Sequence, residues 1–243
     1  MRFWTGWFCL VALPLFAGTA FEEARSLYDQ NQFASALERY LAIEGQSAPL
    51  DYNIGNTLMR LGRPQEAVAY YRRAQWQDPG DADIRANFDR AISETGAWVP
   101  PLPLPRRMTG ILDAGEWQAL FLISCWAVAG FGIAGLFFRQ LRKLFLWILP
   151  LAGIWLFAGA AGVWFSRPSL YFQEAVLSDL TVTVHFEPLS DSTEHFSLPG
   201  GSVVQLIEKS RDWYKISAGD REGWVRENQV WLLKQLGKSS RPS

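Results

Sequence analysis

Few residues of this 243-residue chain have both the type and the spacing that chemistry needs. Its two histidines, His185 and His195, are the only ring bases, yet neither stands in a His-x-x-x-His spacing or beside a cysteine. Glu194-His195 is a lone neighbour pair, and an exposed strand or loop histidine accounts for it without a ligand or a reaction. Cys9 and Cys125 both lie in apolar stretches, which leaves the polar parts of the chain without a disulfide. No nucleotide-binding glycine loop, nucleophile elbow or paired carboxylates stand out, so the expectation is a protein that is not an enzyme, with no catalytic residue, cofactor or metal site. The 23 Lys and Arg against 24 Asp and Glu form no long basic run, which argues against nucleic acid as a partner.

What the sequence positions instead is a membrane hairpin. Trp117–Phe138 and Leu144–Phe165 carry no charge, and each reaches the roughly 20 residues that a helix needs to cross a hydrocarbon core. In lipid every backbone amide must be satisfied within its own segment, so both runs are expected to be helical. Arg139, Arg142 and Lys143 fill the turn between them, and short basic loops stay in the cytoplasm. With no ionisable group inside either span, an ion path has nothing to run on. Gly130 with Ala134, and Ala158 with Gly162, are small-residue pairs that let helices approach, within the hairpin or against another membrane protein. At the N-terminus Arg2 precedes an apolar stretch, Trp7–Phe16, that ends in small residues at Ala17–Ala20, the layout of a secretory signal. Signal and turn together put both soluble ends outside the cytoplasmic membrane.

The segment before the hairpin repeats itself. Ala48, Leu50, Asn53 and Ile54 return as Ala82, Ile84, Asn87 and Phe88, a shift of 34 residues, which is the tetratricopeptide period. Gly55, Ala67 and Ala74 fall where paired helices come close, Ile54, Leu58 and Tyr71 where they fill gaps, and Pro79 where the second helix stops. An earlier copy runs through Ala24, Leu27, Tyr28, Phe33, Ala36 and Tyr40, with a linker three residues short. After it and the second copy, Ala82–Glu94 reads as a closing helix that Gly96 and Pro100 deprive of a partner. The segment resembles a tetratricopeptide repeat, which implies a concave groove for an extended peptide; by position its candidates are Tyr28, Tyr52, Asn56, Arg60 and Arg90. A stack this short also serves as a plain spacer.

Val99–Arg107, with four prolines, is expected to be extended rather than helical, a standoff from the membrane. A self-ligand for the downstream domain is the alternative. After Ser169 the period changes to two: Val182, Val184 and Phe186 share one face of a strand, Thr183 and His185 the other. Turn residues at Pro199–Gly201, Arg211-Asp212 and Gly219-Asp220 divide the rest of the chain into short strands, and five strands in about sixty residues suggest a small barrel. The run Ala175-Val, Val182-Thr-Val, Gly200-Gly-Ser-Val-Val, Asp212-Trp-Tyr-Lys-Ile and Gly223-Trp-Val resembles the bacterial SH3-like domain, which implies binding of cell-wall peptides or protein segments. Trp213 and Trp224 are the candidates for its ligand face, with at least one expected in the core.

The expected order is a signal at 1–20, repeats at 21–96, a proline linker at 97–116, spans at 117–138 and 144–165 about a cytoplasmic turn at 139–143, a barrel at 170–236 and a disordered tail at 237–243. As a whole the chain resembles the BatE type of the Bat aerotolerance proteins. The resemblance implies a scaffold in the inner membrane of a bacterial envelope, acting with von Willebrand A-domain membrane proteins and a MoxR-type ATPase. A cell-wall sensor that binds muropeptide through the barrel is the rival expectation.

Overall fold

The structure, a computed structural model, describes residues 13–110, 114–137, 142–165 and 173–236. It divides into two compact units, one holding the N-terminal helices together with the C-terminal sheet, the other holding the apolar hairpin. The first unit is built from both flanks of the second. Two separate exported pieces were expected; the sheet is instead folded onto the helices.

Five helices open the chain: α1 (Leu13–Asp29), α2 (Phe33–Ala42), α3 (Ala48–Arg60), α4 (Pro64–Gln77) and α5 (Ala82–Thr95). α1 and α2 run antiparallel, with Phe21 edge-on to Tyr40 and Tyr28 edge-on to Phe33. Ser47 caps α3 through the Leu50 amide, and Pro49 in its first turn has no N–H to leave unsatisfied. Gly55 is where α3 and α4 touch, since a Cβ there would lie 2.6 Å from the Tyr71 ring. Gly96, at a φ of +67°, ends α5 in the left-handed conformation that glycine adopts freely. The stack buries Ala36, Leu58, Ala67, Ala74, Phe88 and Ala91. Five helices thus stand where two repeats and a closing helix were expected.

The C-terminal part is one antiparallel sheet of seven strands in the order β3-β2-β6-β5-β4-β1-β7, where five were expected. The strands are β1 (Glu174–Leu177), β2 (Thr181–His185), β3 (Glu194–Pro199), β4 (Val203–Ser210), β5 (Trp213–Ala218), β6 (Arg221–Arg226) and β7 (Val230–Leu232). Ala175, Leu177, Val182, Val184, Val204, Ile216 and Val225 close around a single core. Phe186 departs from the expected inward face: the ladder slips between Val184 and His185, and the bulge turns Phe186 out, 55% exposed. β3, with its His, Ser and Pro, carries no strand signal in the sequence, because nothing in it alternates strongly.

The second unit contains α6 (Leu104–Thr109), α7 (Ala114–Phe137) and α8 (Arg142–Phe165). α6 corrects the expectation that no part of the proline segment is helical: Pro105 sits in its first turn, where a missing N–H costs nothing. Arg106 is buried and donates from Nε at 2.8 Å to the Trp76 carbonyl and from Nη2 at 3.0 Å to that of Gln77, closing the C-terminal end of α4. α7 and α8 are antiparallel, Gly159 lying against the Phe121 backbone and Gly162 against the Trp117 ring. Among the described glycines of the two helices, these two of α8 are the close ones; Gly130 and Gly132 of α7 have no described neighbour within 4 Å. Among the described residues, Gly115–Ala134 is long and apolar enough to cross a membrane, and Pro150–Trp164 is a shorter apolar stretch. Trp126, Trp147, Ile154 and Phe157 stand exposed on the pair. Arg139 and the first twelve residues of the expected signal lie outside the described residues, as does the expected tail after Leu236; Arg142 and Lys143, expected in the turn, open α8. Ala20, the expected cleavage point, falls within α1.

Candidate functional site

A cleft of about 280 Å3 opens across α1, α3 and α5, lined by Tyr28, Asn56, Met59, Arg60, Tyr71, Asn87, Arg90 and Glu94. Four of the five groove candidates therefore meet in one place. Tyr52 is not on the lining but joins it from behind, accepting a 2.8 Å hydrogen bond from Asn87 Nδ2. The same amide donates to Asn56 Oδ1 at 3.0 Å, which also accepts the Tyr71 hydroxyl at 2.7 Å.

This chain of bonds fixes which way both amides face. With its oxygen taken by Tyr71 and Asn87, Asn56 is left with its two N–H donors, while Asn87, its donors taken, keeps a carbonyl acceptor. A donor beside an acceptor on one floor matches the alternating C=O and N–H of an extended peptide backbone. Burial under α3 pushes the Tyr71 phenol well above its ordinary range, so it stays a donor at any physiological pH. Arg60 lies over the Phe33 ring at 4.4 Å and Arg90 pairs with Glu94 at 3.0 Å, the Arg90 side chain 73% exposed. Both guanidiniums keep donors for an acidic group.

Repeat position alone misses Tyr71, Asn87, Met59 and Glu94. Asn87 has a signal, since it stands 34 residues after Asn53, but Asn53 spends its amide on the Pro49 carbonyl and Asn87 does not. Tyr71 has the sequence pattern of a gap filler; its ring does that, and its hydroxyl does the rest.

On the sheet, Trp213 is buried and Trp224 half-buried, so the two do not form one exposed face. Trp213 has the His185 ring at its edge, 5.5 Å away, and Arg226 5.2 Å above it. A different aromatic pair is exposed: Phe186 stacks on His195 at 3.9 Å, while His195 meets at 5.0 Å the edge of Phe196, which is half-buried against the core under Arg221 at 4.4 Å. Each histidine Nδ1 is 3.1 Å from a backbone carbonyl, Ser192 for His185 and Glu222 for His195, which holds the proton on Nδ1. Among the described residues no group of three His, Cys, Asp or Glu is arranged to hold a metal.

The helices and the sheet meet over buried charge. Arg72 of α4 grips Glu174 of β1 with two bonds of 2.7 Å, at 1% and 4% exposure. Next to it Arg73 pairs with Asp51 of α3, Nε to Oδ2 at 2.8 Å, and donates from Nη1 at 2.9 Å to the Leu236 carbonyl, just past β7, the strand beside β1. Two guanidiniums on one helix thus stitch this edge of the sheet to the stack.

Fold and site together define a helix stack joined to a small seven-stranded antiparallel sheet, with an apolar hairpin inserted in the sequence between them. A family model described as the bacterial SH3 domain matches residues 181–230, from the first residue of β2 to the first of β7. No curated protein matches the chain.

Proposed function

We propose that this protein is a non-enzymatic scaffold of the bacterial envelope, held in the cytoplasmic membrane by α7 and α8 and gripping an extended, acidic segment of a partner protein in the α1–α3–α5 cleft. The observation that carries this reading is the Tyr71–Asn56–Asn87–Tyr52 network, which orients donors and acceptors toward the cleft before any ligand arrives. Two spans are part of the proposal. What supports them is connectivity: one compact unit drawn from both flanks of the hairpin requires an even number of crossings, so if α7 crosses, α8 crosses back. The basic end at Arg139, Arg142 and Lys143 then faces the cytoplasm. The tetratricopeptide and Bat-type resemblances name the partner class, von Willebrand A-domain membrane proteins coupled to a MoxR-type ATPase.

The test is co-purification in mild detergent with wild-type chain and with Asn56→Ala/Arg60→Ala. Recovery of von Willebrand A-domain proteins by the wild type, and its loss in the variant, is expected; equal recovery by both refutes the cleft as the contact. A second reading, muropeptide binding, is favoured by the bacterial SH3 match and the exposed Phe186–His195 stack, with Phe196 at its edge. Peptidoglycan fragments that leave the resonances of those three residues unmoved dismiss it.

A further inference from the structure

Trp98, three residues past the end of α5, is seated on the sheet. Its N–H donates to the buried Ser202 Oγ at 3.0 Å, and its carbonyl accepts the Val203 N–H at 2.8 Å. Strand parity explains why that amide was open. Leu206 donates toward the β1 side and Ser202 accepts from it, so Val203, of opposite parity, points toward β5. β5 ends at Ala218, one residue before the turn glycine Gly219, and no β5 residue is paired with Val203. Trp98 fills that notch: its ring packs against the barrel core, and a Cβ at Gly219 would lie 3.5 Å from it.

The neighbouring contacts continue the same seam. Gly201, at a φ of +83°, lies under Ala97, Thr95 and Gln65, and Ala97 is buried. α5 lacks the second helix that would cover its pair, and a helix stack needs a closing element over its last apolar face. The sheet is clamped to α4 by Arg72 and Arg73, and its Pro199–Gly201 turn meets the C-terminal end of α5 at Thr95.

From this we infer that Ala97–Pro101 is a built-in ligand of the SH3-like domain, a strap that fills the notch beyond β5 and thereby ties the sheet to the end of α5. The notch accepts an extended aromatic-proline segment, and in this chain the occupant is supplied in cis. An outside segment of that chemistry enters only by displacing the strap.

The experiment is hydrogen exchange on the full chain in detergent micelles, read at the Val203 amide and along α5, for wild type, Trp98→Ala and Ser202→Ala. A synthetic peptide of residues 96–102 is then added to each. In both variants the Val203 amide is expected to exchange about tenfold faster or more, with the last turn of α5 following it, because the strap that leads from that turn is no longer held. The peptide is expected to slow Val203 exchange in Trp98→Ala and to leave the wild type unchanged, whose notch is full. Should Trp98→Ala fail to fold, Ser202→Ala, which removes one oxygen, carries the comparison alone. Val203 and α5 protected alike in wild type and variants, or a wild-type chain that binds the peptide as readily as Trp98→Ala, overturns the inference.

Discussion

Replacing Glu174 by Ala strands the Arg72 guanidinium in the seam between helices and sheet. Both side chains are almost fully enclosed, and their two 2.7 Å contacts form a bidentate pair, the strongest geometry that Arg and a carboxylate adopt. Removing one partner of a buried pair costs about 3–5 kcal/mol, because the remaining charge keeps its desolvation penalty without its counter-ion. Some of this is recovered if Arg72 leans further on Gln75, whose Oε1 already accepts a 3.0 Å bond from Nη1. The expected loss is therefore about 3 kcal/mol, toward the low end of that range. Replacing both partners, as Arg72→Met/Glu174→Leu, removes both charges at once and is expected to cost under about 1.5 kcal/mol. Pulse proteolysis in urea, on the detergent-solubilised full chain, reads both values. A loss below about 1 kcal/mol for Glu174→Ala would show that the pair behaves as a surface bridge and that the barrel is not fused to the stack.

Gly55→Ala drives a methyl into the Tyr71 ring, which its hydroxyl bond to Asn56 holds in place; the overpacking cost of about 1–3 kcal/mol outweighs the roughly 1 kcal/mol gained in helix propensity, so the urea midpoint falls. Tyr71→Phe keeps the ring and loses the hydroxyl bond, about 1 kcal/mol, and frees the Asn56 amide to turn, so affinity for a captured acidic peptide, measured by fluorescence anisotropy, is expected to fall more than stability does. At alkaline pH the folded state is expected to weaken through Tyr70, whose phenol burial pushes up to about 12 from an ordinary 10. Between those values the unfolded chain gives up the proton and the folded chain keeps it, so stability falls as pH rises through the window, by ~3 kcal/mol from this group once it is passed, and Tyr70→Phe is expected to make the fall shallower, the buried Tyr40 and Tyr71 phenols contributing the rest.

The elements with strong periods were legible. Helices recurring at 34 residues, two long uncharged runs and the alternation of Val182 and Val184 each state a local geometry that packing did not override. What escaped was the joining of the parts. Nothing local marks Arg72 and Arg73 as buried, since Glu174 is 102 residues away on the other side of the hairpin in sequence. Phe186 escaped for a related reason, because a one-residue bulge reverses the facing of everything after it. Of the cleft, Tyr28, Asn56, Arg60 and Arg90 were legible from repeat position alone. The hydroxyl that orients the floor was not, for Tyr71 has the pattern of a packing residue, and only the fold brings its oxygen to Asn56.

The central claim is that one soluble unit is assembled outside the membrane from both flanks of a hairpin. It is tested most directly by single cysteines at the exposed positions Arg85 and Glu208, one on α5 and one on β4, in a chain carrying Cys9→Ser and Cys125→Ser. Intact bacterial spheroplasts are treated with a membrane-impermeant maleimide. Both positions are expected to be labelled before lysis; one labelled before lysis and the other only after it would contradict the account.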